Sequence, residues 1–417
     1  MEKLVPDIYP LRAHMQHYAW GDPVAIPRML HLENPSGKPC AEYWMGAHPD
    51  LPCDAELEGH VVPLNELIAK HPRVVLGNEV ARAFDDRLPF LFKILAAAEP
   101  LSIQVHPSKQ AAEQGFLKEN ALGVPLNAPH RNYRDDNHKP ELMMALEPFY
   151  GLRGFRPFEA IKETLESVPE FNSFAEQFSG DASSLKAVYE RFMRMKDEEV
   201  HQVLHPVLER LKSNHLSSPY SKSDREYWVL RSDACYSGSG RHDRGLFAVF
   251  LLNLVCLQPG QAMFLPAGVL HAYLEGVGME LMANSNNVLR GGLTPKHVDV
   301  GELIREVAFE GESIEILEAL PDSGIPGLAR FVTTASEFEL QRMDAKGGPR
   351  NFELTSRSPE ILFPSRANAK EAPIIRGERD SLTLTDPKPV LICCGLNYTV
   401  ELPEGLTLFR AIVPIKT

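Results

Sequence analysis

A block of helix-period sequence set inside a chain that otherwise reads as strand limits the fold more than any other feature. Between about 157 and 215, Val200, Val203, Leu204, Val207, Leu208 and Leu211 recur at the spacing of one helix face. Leu185, Val188, Tyr189 and Phe192 form a second stripe, and Ile161, Leu165 and Val168 a third. Pro206 lies inside the first stripe and predicts a kink or a restart there, since proline has no N–H to give. On either side the texture changes. Residues 1 to about 150 carry many prolines and short alternating runs, a β-rich pattern with long loops. From about 225 strands are expected over 245–257, 260–275 and 279–283, then a short helix over 300–307. Residues 325–417 return to β texture, with runs at Phe331, Phe338, Pro389 and Leu406. The expected chain is mainly β with a helical insertion. Residues 1–155 with 225–315 would form one domain, 156–224 the insertion, and 316–417 a C-terminal β domain.

With 417 residues there is room for two or three domains and a sizeable core. The net charge of −13 argues against nucleic acid as a main partner, because binding a phosphate backbone wants a basic face. A small anionic ligand remains compatible, since a local basic pocket can sit in an acidic protein. No run of about 18 apolar residues suggests a membrane span, and the N-terminal stretch lacks the apolar core of a secretory signal. The six cysteines, Cys40, Cys53, Cys235, Cys256, Cys393 and Cys394, form no C-x-x-C pair. They fit buried thiols in a reduced, cytoplasmic chain.

Histidine placement narrows the site. All 15 histidines lie at or before His297, so a histidine-based metal site belongs to the first three-quarters of the chain. In Leu101-Ser-Ile-Gln-Val-His106, strand period puts Ser102, Gln104 and His106 on one face. If that face is buried, its polar groups need partners, and Gln104 with His106 can offer an oxygen and a nitrogen to one ion. A half-exposed strand with a polar outer face reads the same way. Glu141 opens an apolar run just after Pro140 and could add a carboxylate, because mixed oxygen and nitrogen donors suit zinc. The sharpest segment is Gly260-Gln-Ala-Met-Phe-Leu-Pro266-Ala-Gly268-Val-Leu-His271. It is a strand, a Pro-x-Gly turn, and a histidine aimed back along the next strand. It fits the second cupin motif, G-x5-P-x-G-x2-H, at every fixed position.

Several separate motifs carry a wider likeness over most of residues 10–310. They are His17-Tyr-Ala-Trp-Gly21, Ala41-Glu-Tyr-Trp-Met-Gly-Ala-His-Pro49, the run from Leu88 to Leu95, Leu101 to Pro107, and His138-Lys-Pro-Glu141. The Pro266 to His271 turn and the stretch from Met279 to Lys296 complete the set. On these residues the chain resembles the type I phosphomannose isomerases. The resemblance implies cupin jelly-roll β-sandwich domains, the C-terminal one degenerate. It implies one zinc per chain held by Gln104, His106, Glu141 and His271. It implies a functional Arg290 and interconversion of mannose 6-phosphate and fructose 6-phosphate through a cis-enediol, supplying mannose precursors for GDP-mannose biosynthesis. The expected partner is a small sugar phosphate, with no nucleic acid and no membrane, and the chain is expected to be a cytoplasmic monomer.

For proton transfer the candidates are Lys139, Glu280 and Lys296. Arg290 could clamp the phosphate or stabilise enediolate charge. Ser102 and Lys93 are candidate phosphate ligands, and Trp20, His48 and Tyr273 candidate walls of the sugar pocket. Ser237-Gly-Ser-Gly240 reads as a flexible loop, since no helix follows it to cradle a phosphate. One departure stands out: the family usually has Asn-Ser-Asp-Asn where this chain has Asn284-Ser-Asn-Asn287. An amide at Asn286 cannot act as a carboxylate base, so that role is either reassigned or the activity reduced. A metal-stabilised sugar-phosphate-binding cupin without turnover, or a cupin oxygenase, are the alternatives.

Overall fold

The computed structural model describes residues 7–415 apart from 58, 239 and 366–371. Ser239 of the expected flexible loop therefore lies outside the described residues. Helix and strand take near-equal shares, so the architecture is mixed rather than mainly β. The expected stripes lie in helices at Phe158–Ser167, Ala182–Arg194 and Asp197–Ser217, except Val168, which stands extended just past the end of the first. Ala182–Arg194 begins at Asp181, whose carboxylate accepts from Ser184 N at 2.9 Å while Ser184 Oγ accepts from Asp181 N at 3.2 Å. This reciprocal cap satisfies two amides that the first helical turn would leave unpaired. Asp197–Ser217 runs through Pro206 without a restart.

Helices continue past 224, at Arg225–Tyr236 and Gly245–Leu251. The strand expected over 245–257 is thus a helix followed by the strand Leu252–Leu257. All seven residues of that helix are buried. A run that is apolar on every side has no period by which strand and helix could be told apart. Asn253, the one polar residue interrupting it, fixes the change of direction. Its amide nitrogen donates to the carbonyls of Arg153 (3.2 Å), Phe155 (3.0 Å) and Glu312 (3.0 Å).

Among the described residues, the strands form sheets of ten, nine and four. The ten-stranded sheet is organised by one long strand, His271–Ala283. Its first half pairs with Phe149–Phe155, and at His271 with Ile103–Val105. Its second half pairs with Phe90–Ala97 and Glu141–Ala145. The change of partners falls at Gly276, which has φ of 136°. A Cβ there would stand 2.7 Å from Phe149 Cα and from the Pro148 carbonyl, so no larger residue fits without moving backbone.

The nine-stranded sheet is made from both ends of the chain. Ile8–Arg12 pairs with Val390–Ile392 on one side and Asp54–Leu57 on the other. The largest apolar core joins both regions, with Tyr9, Leu11, Phe90 and Phe92 packed with Phe331, Ile361, Phe363 and Leu391. A second core unites the helices with Ile103, Val105, Ala272 and Leu289 of the first sheet. No helix among the described residues is long and apolar enough to cross a membrane.

Gly276→Ala is expected to destabilise the fold by about 2 kcal/mol or more, from positive φ and backbone overlap together. Urea unfolding of the variant against the parent measures it.

Candidate metal centre

Register across three strands assembles the site. Gln104 stands opposite His271 on one side and opposite Arg290 on the other. Opposed residues of antiparallel strands share a face, so Arg290, Gln104 and His271 form a row. His106 follows two residues after Gln104, on the same face by strand period. The turn before His271 is tied to it directly: Gly268, at φ of 83°, donates its N–H to the His106 carbonyl at 3.0 Å. Glu141 begins its strand opposite Met282 of the long strand and is buried.

Candidate ligand atoms of His106, Glu141 and His271 lie within 4.8 Å of one another. His106 Nε2 is 3.2 Å from Glu141 Oε1, and His271 Nε2 is 3.5 Å from Oε2. The far nitrogens are held by backbone. His106 Nδ1 meets the Asn287 carbonyl at 2.8 Å and His271 Nδ1 the Val269 carbonyl at 2.9 Å. A carbonyl only accepts, so each Nδ1 carries the proton and each Nε2 turns a lone pair toward the carboxylate. A lone pair facing a carboxylate is not a hydrogen bond. His106 Nε2, His271 Nε2 and Glu141 Oε1 are all buried with no hydrogen bond of proper alignment. Buried polar atoms left so are expensive, and two imidazoles, a carboxylate and a neighbouring amide are a donor set that suits zinc. The residues fit a metal ion. Burial pushes His106 down to about 4, helped by the Lys139 ammonium. Burial would raise Glu141, but Lys139 and His106 outweigh it and hold the carboxyl well below its usual range.

Around this core runs a buried polar network. Lys139 Nζ is 2.7 Å from Glu141 Oε1, and the Tyr273 hydroxyl donates to Glu141 Oε2 at 3.0 Å. Lys93 Nζ lies 2.7 Å from Glu280 and 3.3 Å from Glu42. Burial works against its charge, but Glu280 and Glu42 overcome that and raise its pKa. Trp44 Nε1 donates to Glu42 at 2.6 Å, and Lys93 sits 5.2 Å from the Trp44 ring centre.

Lys93, expected as a phosphate ligand, is buried between the carboxylates of Glu280 and Glu42. Tyr273, read as a wall of the sugar pocket, is buried with its hydroxyl spent on Glu141. Ser102 is half-buried just before the Ile103–Val105 strand, and half-buried Trp20 stacks on exposed Tyr18 with centroids 5.7 Å apart.

Arg290 and Lys296 belong to one positive cluster. Burial lowers the pKa of Arg290, and so does the Arg134 charge. Lys296 is lowered by burial and then by Arg290 and Arg134. Like charges gathered in one place favour the approach of an anion. The loop that bears them is fixed by Asp243, which accepts from Leu293 N at 2.7 Å and Thr294 N at 3.2 Å. A cavity of about 300 Å³ lies beside it, lined by Asp243, Gly292, Thr294 and Lys296 among others. A larger one, about 610 Å³, opens among C-terminal residues such as Glu353, Arg376 and Tyr398, none of which belongs to the groups above.

Asn286 donates its amide to Asp50 Oδ2 at 2.9 Å, and its backbone N–H to Asp135 Oδ2 at 2.6 Å. Its neighbour Asn287, unsuspected from sequence, is fully buried; its Oδ1 accepts from Arg134 N at 2.7 Å while its carbonyl holds His106. A run of asparagines before an arginine was the only signal available for it. Glu337 was also missed. It meets His138 Nε2 at 2.5 Å and so brings the last hundred residues to the loop that carries Lys139. Nothing local in the sequence marks it.

Burial also pushes His48 down to about 4, and its Nδ1 accepts from Asp50 N at 3.2 Å, which requires the neutral ring. The unfolded chain then binds the extra proton below about pH 6.5, and folding stability falls from there down to about pH 4. His48→Asn is expected to flatten that slope by up to about 1.4 kcal/mol per pH unit. Urea unfolding at pH 7, 6 and 5 reads the difference.

The family pattern for the phosphomannose isomerase type I catalytic domain matches residues 8–158. The mannose-6-phosphate isomerase of Escherichia coli K12 is 42% identical over 326 residues, covering 77% of this chain and 78% of its own. The human enzyme of that name is 33% identical over 437 residues, covering 94% of this chain and 99% of its own. A crystal structure of mannose 6-phosphate isomerase from Salmonella typhimurium, bound to fructose 6-phosphate and zinc, superposes with a TM-score of 0.84. That structure is 34% identical and covers 98% of this chain and 100% of its own. A zinc-bound holo structure gives 0.85 at the same identity and coverage. Sequence likeness along nearly the whole chain, and a shared fold, place this protein in the type I phosphomannose isomerase family.

Proposed function

We propose that this chain is a zinc-dependent aldose–ketose isomerase that interconverts mannose 6-phosphate and fructose 6-phosphate through a cis-enediol. The observation that carries the reading is the buried trio His106, Glu141 and His271, with two imidazole lone pairs and a carboxylate facing one point. Gln104, in register with His271, supplies the fourth donor. Zinc bound there supplies Lewis acidity toward the substrate's carbonyl oxygen.

The remaining roles follow from exposure and charge. Arg290 and Lys296, with Arg134 beside them, hold the phosphate and bring the sugar carbons toward the ligand row. Lys139 stays 12% exposed at the edge of the buried cluster, and with a bound metal meeting the charge of Glu141 its amine in the neutral form would move the proton between C1 and C2. Glu280 is locked to Lys93 and sets the local charge rather than meeting the sugar. Ser102 and Trp20 border the site. Asp50, accepting from Asn286, puts a carboxylate next to the position where relatives have their own, so the site keeps an acid there despite the amide.

The finer architecture is read as cupin jelly rolls. Residues 1–155 with 225–315 form the catalytic part, 156–224 the helical insertion and 316–417 a degenerate second cupin. The helices reaching Leu251 and the strand Ile8–Arg12 tie these parts together. The enzyme is read as a cytoplasmic monomer with one catalytic zinc per chain.

A coupled assay for fructose 6-phosphate formed from mannose 6-phosphate tests the function. Turnover that is lost with chelator and regained with zinc supports it; none from zinc-loaded protein refutes it. His271→Ala is expected to lose the catalytic metal by elemental analysis and to cut kcat by at least about 100-fold. Arg290→Ala should keep both metal and fold while kcat/KM falls about 100- to 1,000-fold, the scale for removing one charge-stabilising donor.

A further inference from the structure

A second histidine cluster lies in the helical region, apart from the buried trio of His106, Glu141 and His271. His201 and His205 stand four apart on Asp197–Ser217 and so share a helix face. His242 comes from the turn that leads into Gly245–Leu251. The His201 and His205 ring centres are 4.7 Å apart, His201 and His242 5.3 Å, and His205 and His242 5.7 Å. Candidate ligand nitrogens of the three lie within 4.8 Å of one another.

The cluster is built as metal sites are. Asp233, itself buried, accepts from His242 Nδ1 at 2.8 Å, which leaves the His242 Nε2 lone pair free. A carboxylate behind a ligating imidazole, fixing its tautomer, is the usual support for such a ligand. Lys212 Nζ stands 3.9 Å from the other Asp233 oxygen and balances its charge. His242 Nε2 and His201 Nδ1 are both buried without a hydrogen-bond partner. Three nitrogens around a tetrahedral zinc stand about 3.4 Å apart, given Zn–N bonds of about 2.0–2.1 Å. The three rings lie near-parallel, at 18°, 6° and 24° to one another, so bringing their lone pairs onto one ion requires the rings to turn, and exposed His205 is free to do so.

We propose that His201, His205 and His242 bind a second divalent ion of the zinc, nickel or copper class, independent of the buried centre. The ion would tie helix Asp197–Ser217 to the turn at His242. The next residue, Asp243, is the one whose carboxylate holds the Leu293 and Thr294 amides beyond Arg290. Metal at this site therefore stiffens the support of the basic loop.

The test is equilibrium dialysis of the full chain against zinc, with cobalt as a spectroscopic probe. The parent is expected to bind two zinc ions per chain and His205→Ala one, with turnover in the variant within about twofold of the parent. Cobalt titration should show two steps of visible absorption in the parent and one in His205→Ala. His201→Gln should behave as His205→Ala. One zinc per chain in the parent under zinc excess, or two in both variants, overturns the proposal.

Discussion

The structure turns on a carboxylate that has been taken out of water. Glu141 is buried between two imidazoles that present lone pairs rather than protons, an arrangement that repels unless positive charge stands near it. Lys139 supplies part of that charge and the Tyr273 hydroxyl part of the hydrogen bonding. Much of the surrounding sheet serves this one group. The long strand carries His271, Tyr273 and Glu280, and its neighbours carry Gln104, Lys93 and Glu141 itself. Removing a charge from water costs several kcal/mol even after relaxation. A fold that keeps such a group has a use for it that packing would not explain.

Much of this was legible in the residues. The helical stripes at Leu185 and Val200 show a clear 3.6 period, and each lies in a helix with that face buried. The Pro-x-Gly turn before His271 was readable because proline and positive-φ glycine leave few other backbone paths. What failed to show did so for physical reasons. Gly245–Leu251 is apolar on every side, so its period vanishes. The ion pairs of Lys93 and the Tyr273 hydrogen bond to Glu141 were not readable because sequence does not record which partners hold a buried polar group. Asn287 and Glu337 act through contacts 181 and 199 residues away, distances that no local pattern spans.

The regions also differ in how they manage buried charge. Near the metal centre, positive and negative groups alternate and leave lone pairs free. In the C-terminal sheet Arg410 is closed completely: Glu360 accepts from its Nε at 2.6 Å and from a second nitrogen, Gln341 from Nη1 at 2.6 Å, and Tyr398 completes the set on Glu360. One network is finished and the other is open to a ligand. That contrast separates a structural cluster from a functional one better than burial does, since both are buried.

The strand Ile8–Arg12 closes against Val390–Ile392, nearly the full chain away. During synthesis it leaves the ribosome well before that partner is made. Until then Tyr9 and Leu11 have no finished core to enter, and the edge they sit on stays open to other chains. Pairing over so long a separation makes the final step of folding slow compared with the helices between. The earlier strand has to wait for the later one.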